Sequence, residues 1–415
     1  MANTTVFRNV RILDSTGQAP FAGTVTIRGN RIADVSHGSR AGSDNDKVID
    51  AGGATLMSGL CDAHTHLSWT NEAGIDALAS MPVEEHTLQT AENARLYLDR
   101  GYTMCVGAAA AKPRLDVAIR NFINAGKIPG PRYLANGPEI ATVKGLGNLN
   151  PSYVGSYAEV ITGPSEMRSC VRRLLEQGVD LVKINCSGEG VTNVSAEETT
   201  MTEDEFAAGV REAHGKAGIR VCVHARSAEA VKLCVRHGAE IIYHASYADE
   251  EALDLLEANK TRHFVVPGLA WLYQICHGAS EWGVTPQVAS HLGYARELEV
   301  AVEAMKAMKK RGIRVLPGGD YGFAWTPHGT NARDLQYFVE LLGFSTMETI
   351  IAATALGGEV MARGAELGKI KAGYLADLIL VNGDPLTDIT LLQQPLQLLA
   401  VMKDGVFHKE WQESC

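Results

Sequence analysis

His64 and His66 stand two residues apart in MSGLCDAHTHLS, a spacing that puts both imidazoles on one face of an extended strand, where they can grip a single ion. His224 and His244 each close a short apolar run, in VCVHA and IIYHA, and Asp320 closes another in VLPGGDYG. Imidazole and carboxylate are ligands that zinc, cobalt and manganese all accept. Lys183 comes from DLVKINCSG between Val182 and Ile184, and a protonated amine buried there is costly unless it is paired or neutralised. One reading is a stem that reaches solvent or a carboxylate. The other is carbamylation by carbon dioxide, which turns the cation into a carboxylate able to bridge two metals. Beside four imidazoles and an aspartate the bridge is preferred. The expected set is two divalent ions per subunit, zinc first with cobalt or manganese as alternatives, held by His64, His66, carbamylated Lys183, His224, His244 and Asp320.

Two cations sharing one water bring its pKa down to about neutrality, which makes hydroxide available as a nucleophile without a strong base. Asp320 would take the proton and pass it to a leaving nitrogen, because an amine leaves poorly unless protonated. The expected reaction is cleavage of an amide-type carbon–nitrogen bond. Tyr243, beside His244, and His328 in TPHGTN are candidates for stabilising an oxyanion or orienting substrate, with ordinary packing roles as the alternative. Trp271, Tyr273, Phe323 and Trp325 fall in or just after predicted strands and either wall an apolar pocket or belong to the core.

Residues so far apart in the chain converge only if the fold delivers them to one place. Four segments share a pattern that does so. In EMRSCVRRLLEQG, Met167, Val171, Leu174 and Leu175 fall on one helical face, Gly178 stops the helix, and VDLVKI reads as a strand reaching Lys183. The stretches EDEFAAGVREAHGKAG, SAEAVKLCVRHG and ELEVAVEAMKAMKKRG end at Gly218, Gly238 and Gly312, and the strands after them lead to His224, His244 and Asp320. Glycine suits the left-handed position that closes a helix. In a parallel barrel the C-terminal strand ends share one rim, where such folds place their chemistry.

The two ends of the chain read differently. Residues 1–56 alternate β-rich runs such as TTVFRNVRILD and GTVTIRG with Gly, Asn and Pro turns, and residues 369–415 do the same in ADLILVNGDP and LLAVMKDGVFHK. Each end is too small to bury a face alone, so the two are expected to form one small β-sandwich domain around a barrel over 57–368. Of the 415 residues, 46% are apolar and 21% charged, with no apolar run near the roughly 20 residues of a membrane span. A formal charge of -10 argues against a nucleic-acid partner and for a small-molecule substrate. The eight cysteines contain no C-x-x-C pair and read as reduced thiols, with Cys61 a minor candidate as a metal ligand. The start of the chain shows no secretory pattern, so a cytoplasmic location is expected.

The segment LMSGLCDAHTHL resembles the Pro-Gly-Leu-Ile-Asp-x-His-x-His stretch of the metal-dependent amidohydrolase superfamily, with Ser58 in place of the proline. LGKIKAGYLADLILVNGDPL resembles that superfamily's Gly-x-Ile-x-x-Gly-x-x-Ala-Asp-Leu stretch. The resemblance spans essentially the whole chain and implies a (β/α)8 barrel, a binuclear centre on the six residues named above, and a homo-oligomer. The HARS and YHAS stretches are most similar to the imidazolonepropionase-like branch, which includes Xaa-Pro dipeptidases and hydrolases of N-acyl amino acids. The implied substrate is therefore a small, apolar or aromatic N-acyl compound or dipeptide.

Two positions depart from that branch. Arg226 stands where many relatives carry a tyrosine, and Lys144-Gly145-Leu146-Gly147 where many carry Gly-Gly-His-Gly. An arginine there holds a substrate carboxylate or oxyanion, or else pairs with a carboxylate of the protein. Hydrolysis of a carbamate, urea or lactone is accordingly the alternative. A mononuclear deaminase fits the barrel less well, since such enzymes often carry His-Ala-Gly-Glu where this chain has His224-Ala225-Arg226-Ser227. A non-enzymatic scaffold would not keep an intact ligand set.

Overall fold

The computed structural model describes residues 4–38, 42–43, 45–145, 157–190, 194–216 and 218–411. Both chain ends enter one mixed eight-stranded sheet, in which Thr55–Ser58 is the meeting point, parallel to Thr4–Leu13 and antiparallel to Leu378–Val381. The β-rich runs read from the sequence are these strands. Their side chains alternate between two cores, as the period of a strand requires. Ile12, Leu56, Leu378 and Leu380 pack with Phe7, Val25 and Met402 on one face, whereas Leu13, Met57, Ile379 and Val381 join the large core of the central unit on the other.

That central unit is a ring of parallel strands wrapped by helices. Leu60–Thr65, Tyr102–Gly107 and Arg132–Leu134 pair in that order, and Glu139–Thr142, Leu181–Asn185, Arg220–Ala225, Ile241–His244 and Phe264–Val266 pair in theirs. Asp180 N–H donates to Ala135 O at 2.8 Å and links the two groups. Val315 bridges to Val265, and Ala63 N–H donates to Pro317 O at 3.1 Å, so the ring closes on its first strand. Inward positions form an apolar plug of Cys61, Met104, Leu181, Cys222, Tyr243, Phe264 and Val266, and outward ones pack under the helices.

The helices obey the periodicity that announced them. Gly163–Gln177 buries Met167, Cys170, Val171 and Leu174 and ends at Gly178 with φ 90°; Ala228–His237 ends at Gly238 with φ 84°, both left-handed caps that a side chain would strain. Ser227 caps the second of these by accepting the N–H of Ala230. Beyond Leu181–Asn185 the chain makes an antiparallel pair, Ser187–Glu189 with Val194–Thr199, which extends from the barrel rim. No helix among the described residues is long and apolar enough to cross a membrane.

Candidate metal centre

At the C-terminal rim, His64, His244 and Asp320 are buried with ligand atoms within 4.8 Å of one another. His66 Nε2 lies 3.2 Å from Asp320 Oδ1 and His64 Nε2 3.7 Å from it. The His224 ring is 4.6 Å from that of His244, and Lys183 Nζ sits 4.5 Å from the centre of the Tyr243 ring, which itself stacks on His64 at 3.9 Å. The six sequence-derived ligands therefore come to one rim. The 4.8 Å cluster itself holds three of them.

Different devices aim these side chains. Lys183 and His224 face inward by plain alternation, in step with Leu181 and Cys222. On the first strand Cys61 and Ala63 already occupy the inward parity, and a register shift between Asp62 and Thr65 brings His64 inward as well. His244 and Asp320 adopt left-handed backbone, φ 69° and 62°. Non-glycine residues held there cost about 1–3 kcal/mol and concentrate at functional sites.

The site suits a cation. Burial pushes the His64, His224 and His244 imidazoles well below their ordinary pKa, which leaves neutral nitrogens with lone pairs to donate. Burial alone would raise Asp320, but His64, His66 and Lys183 more than offset it and hold the carboxyl well below the usual range. His64 Nδ1 is buried without a hydrogen-bond partner. Behind the cluster, Asp62 accepts the N–H of His64 at 3.0 Å and the amide of Asn331 at 2.9 Å. A 460 Å³ cleft lined by His214, His237, Glu240 and Arg262 lies at the opposite end of the strands and contains none of these residues.

The other candidates fall around the cluster. Tyr243 is fully buried. His328 Nε2 lies 3.0 Å from Trp69 O, and burial pushes its pKa down to about 4, so it is neutral at ordinary pH. Arg226 is 1% exposed and pairs with Glu297 and, at 3.1 Å, with Glu189. Trp271 and Trp325 share an apolar cluster against which Phe323 packs, and Phe323 also packs against a second cluster containing Trp69. Trp69 in turn lies 4.1 Å from the His66 ring. Tyr273 faces away and packs on Tyr337 at 4.6 Å. Leu146 and Gly147 lie outside the described residues, as does Cys415; the other seven cysteines are buried free thiols.

Sequence reasoning missed Glu139, Glu189 and Glu297, all buried. Glu297 had a readable signal, since it shares the buried stripe of its helix with Tyr294, Ala301, Ala304 and Met308. Glu189 sits on the rim pair, with Oε2 4.0 Å from His224 Nε2, and burial pushes its pKa up to about 7.

A family model described as the amidohydrolase family matches residues 55–407. Ochratoxinase from Aspergillus niger is 26% identical over 393 residues, covering 85% of this chain and 75% of its own. A prolidase crystallised with N-methylphosphonate-L-proline superposes with a TM-score of 0.88 at 25% identity, covering 98% of this chain and 100% of the other. A Xaa-Pro dipeptidase with bound methionine gives 0.87 at 27% identity, with 98% and 100% covered.

Proposed function

Because the chain belongs to the amidohydrolase family, we propose that its rim cluster holds two divalent ions, zinc by preference, on His64, His66, carbamylated Lys183, His224, His244 and Asp320, and hydrolyses an amide-type bond of a small apolar or aromatic N-acyl compound or dipeptide. The chain is an enzyme of that superfamily, a hydrolase of carbon–nitrogen bonds other than ordinary protein peptide bonds. The observation that carries the finer reading is the 4.8 Å cluster of His64, His244 and Asp320, flanked by His66, Lys183 and His224.

Divalent ions bound there would lower the pKa of a water to about neutral and polarise the scissile carbonyl. The chain's own groups do the rest. Asp320, held ionised, is the base at the centre: its carboxylate takes the proton from the attacking water and passes it to the leaving nitrogen. Tyr243 packs flat against His64 and fixes the plane of that imidazole. Trp69, Phe323, Trp271 and Trp325 form an apolar wall beside the cluster that excludes bulk water and receives the apolar part of the substrate.

The test is elemental analysis of purified protein joined to a hydrolysis screen over N-acyl amino acids, dipeptides, anilides, ureas, carbamates and lactones. About two metals per subunit with turnover of an amide-type substrate is the expected result. About one metal with deamination in place of acyl transfer would reject it.

A further inference from the structure

Arg226 is two residues beyond His224 and carries the bidentate geometry that suits a substrate carboxylate. Its two terminal nitrogens are already committed. Nη1 pairs with Glu297 Oε1, Nη2 lies 3.1 Å from Glu189 Oε1, and the carbon of the group lies 5.5 Å from the centre of the Trp271 ring. Ser246 Oγ donates to Glu297 Oε1 at 2.7 Å, and Tyr294 O–H donates to Glu189 Oε1 at 3.4 Å. The backbone N–H of Arg226 donates to Ser187 Oγ at 2.8 Å. Arg226, Glu189 and Glu297 are each at most 4% exposed, so water screens none of them.

The charge of this triad decides what can approach it. With both carboxylates ionised it is negative, and with one protonated it is neutral; in neither state does it carry a positive surplus. A carboxylate brought to this wall would give up its hydration and find no free cation in return. The neighbouring surfaces are aromatic: Trp271 lies 6.2 Å from Trp325 and 5.9 Å from Phe323. Arg226 Nε, Trp271 Nε1 and Trp325 Nε1 are buried N–H donors without acceptors among the described residues. Such a wall offers stacking and hydrogen bonds to uncharged acceptors.

We propose that the Glu189–Arg226–Glu297 triad sets specificity by closing Arg226 to substrate carboxylates, so that the enzyme selects uncharged aromatic N-acyl compounds over N-acyl amino acids and dipeptides. This rests on the hydrolase reading above and narrows its substrate class.

The test uses the metal-loaded full chain with N-acetyl-2-phenylethylamine and N-acetylphenylalanine, which differ only in the α-carboxylate. Binding is followed by tryptophan fluorescence and turnover by amine release. The uncharged compound binds at least tenfold more tightly, and where turnover occurs its kcat/KM is higher by a similar factor. In the E189Q/E297Q double variant Arg226 is released, and the affinity for the carboxylate rises at least tenfold. Equal or tighter binding of the carboxylate by the unaltered protein overturns the proposal, as does no binding of the uncharged compound at millimolar concentration. If the double variant does not fold, the comparison in the unaltered protein decides alone. Ordered binding without hydrolysis of either compound would count against the hydrolase reading and leave the specificity inference standing.

Discussion

Gly268 stands against His244: a Cβ at position 268 would lie 3.0 Å from His244 Nδ1 and 3.6 Å from the Cβ of Asp320. Its φ of 63° also favours glycine. Gly268→Ala therefore strains the backbone by about 1 kcal/mol and displaces one imidazole of the cluster. Metal affinity falls roughly 10- to 100-fold while the fold persists, the size of effect seen when a ligand's support is disturbed. Competition with a chelator, beside a thermal melt of metal-free protein, checks this; unchanged affinity would show that the contact between positions 268 and 244 does not position a ligand.

Lys183 is 2% exposed, and beside it are the Tyr243 ring and the cluster itself. If its carbamate bridges two ions, Lys183→Ala loses about one metal per subunit and turnover drops by at least a hundredfold, the scale of a lost metal contribution. Metal content and rate both equal to those of the parent would reject the bridge.

Asp320→Asn preserves volume and one carbonyl oxygen but removes the proposed base. The expected loss in kcat is about 10²- to 10⁴-fold, with KM little changed because the proton transfer belongs to the transition state. A purely structural aspartate would show its loss in thermal stability and spare kcat, and steady-state kinetics beside a melt separates the two.

How far the sequence alone reaches can be judged on single residues. Lys183 and His224 were legible because alternation along an unbroken strand settles which way they point. Tyr243 and His244 are adjacent, yet both rings lie against His64, at 3.9 Å and 5.3 Å. Alternation forbids that; the left-handed φ of His244 permits it, and nothing local in IIYHAS announces a positive φ at a histidine. His64 likewise depends on a register shift whose cause is the pairing with the neighbouring strand. A carboxylate partner for Arg226 was among the readings, but its identity as Glu297 was out of reach for another reason. The two are 71 residues apart, and a buried carboxylate is stable only through a partner that the fold supplies. The amphipathic helices and two-faced end strands were readable because burial there follows local periodicity.

Asp116 carries a prediction remote from catalysis. Its side chain is fully buried, and Oδ2 accepts the hydroxyl of Tyr133. Burial pushes its pKa up to about 7 despite the opposing hydrogen bonds of Tyr133 and Ser68. The unfolded chain releases this proton near the ordinary value of about 3.9. Between those two values the folded state binds one more proton than the unfolded state, so stability falls as pH rises and levels off above about 7. A shift of roughly three units corresponds to at most about 4 kcal/mol lost across that window. Asp62, Asp334 and Glu189, also raised to about 7, act in the same direction and remain in an Asp116→Asn variant. Urea unfolding of parent and variant at pH 5 and pH 8 isolates the contribution of Asp116. The variant loses less stability between the two pH values, and identical losses would mean that Asp116 is ionised in the folded protein at both.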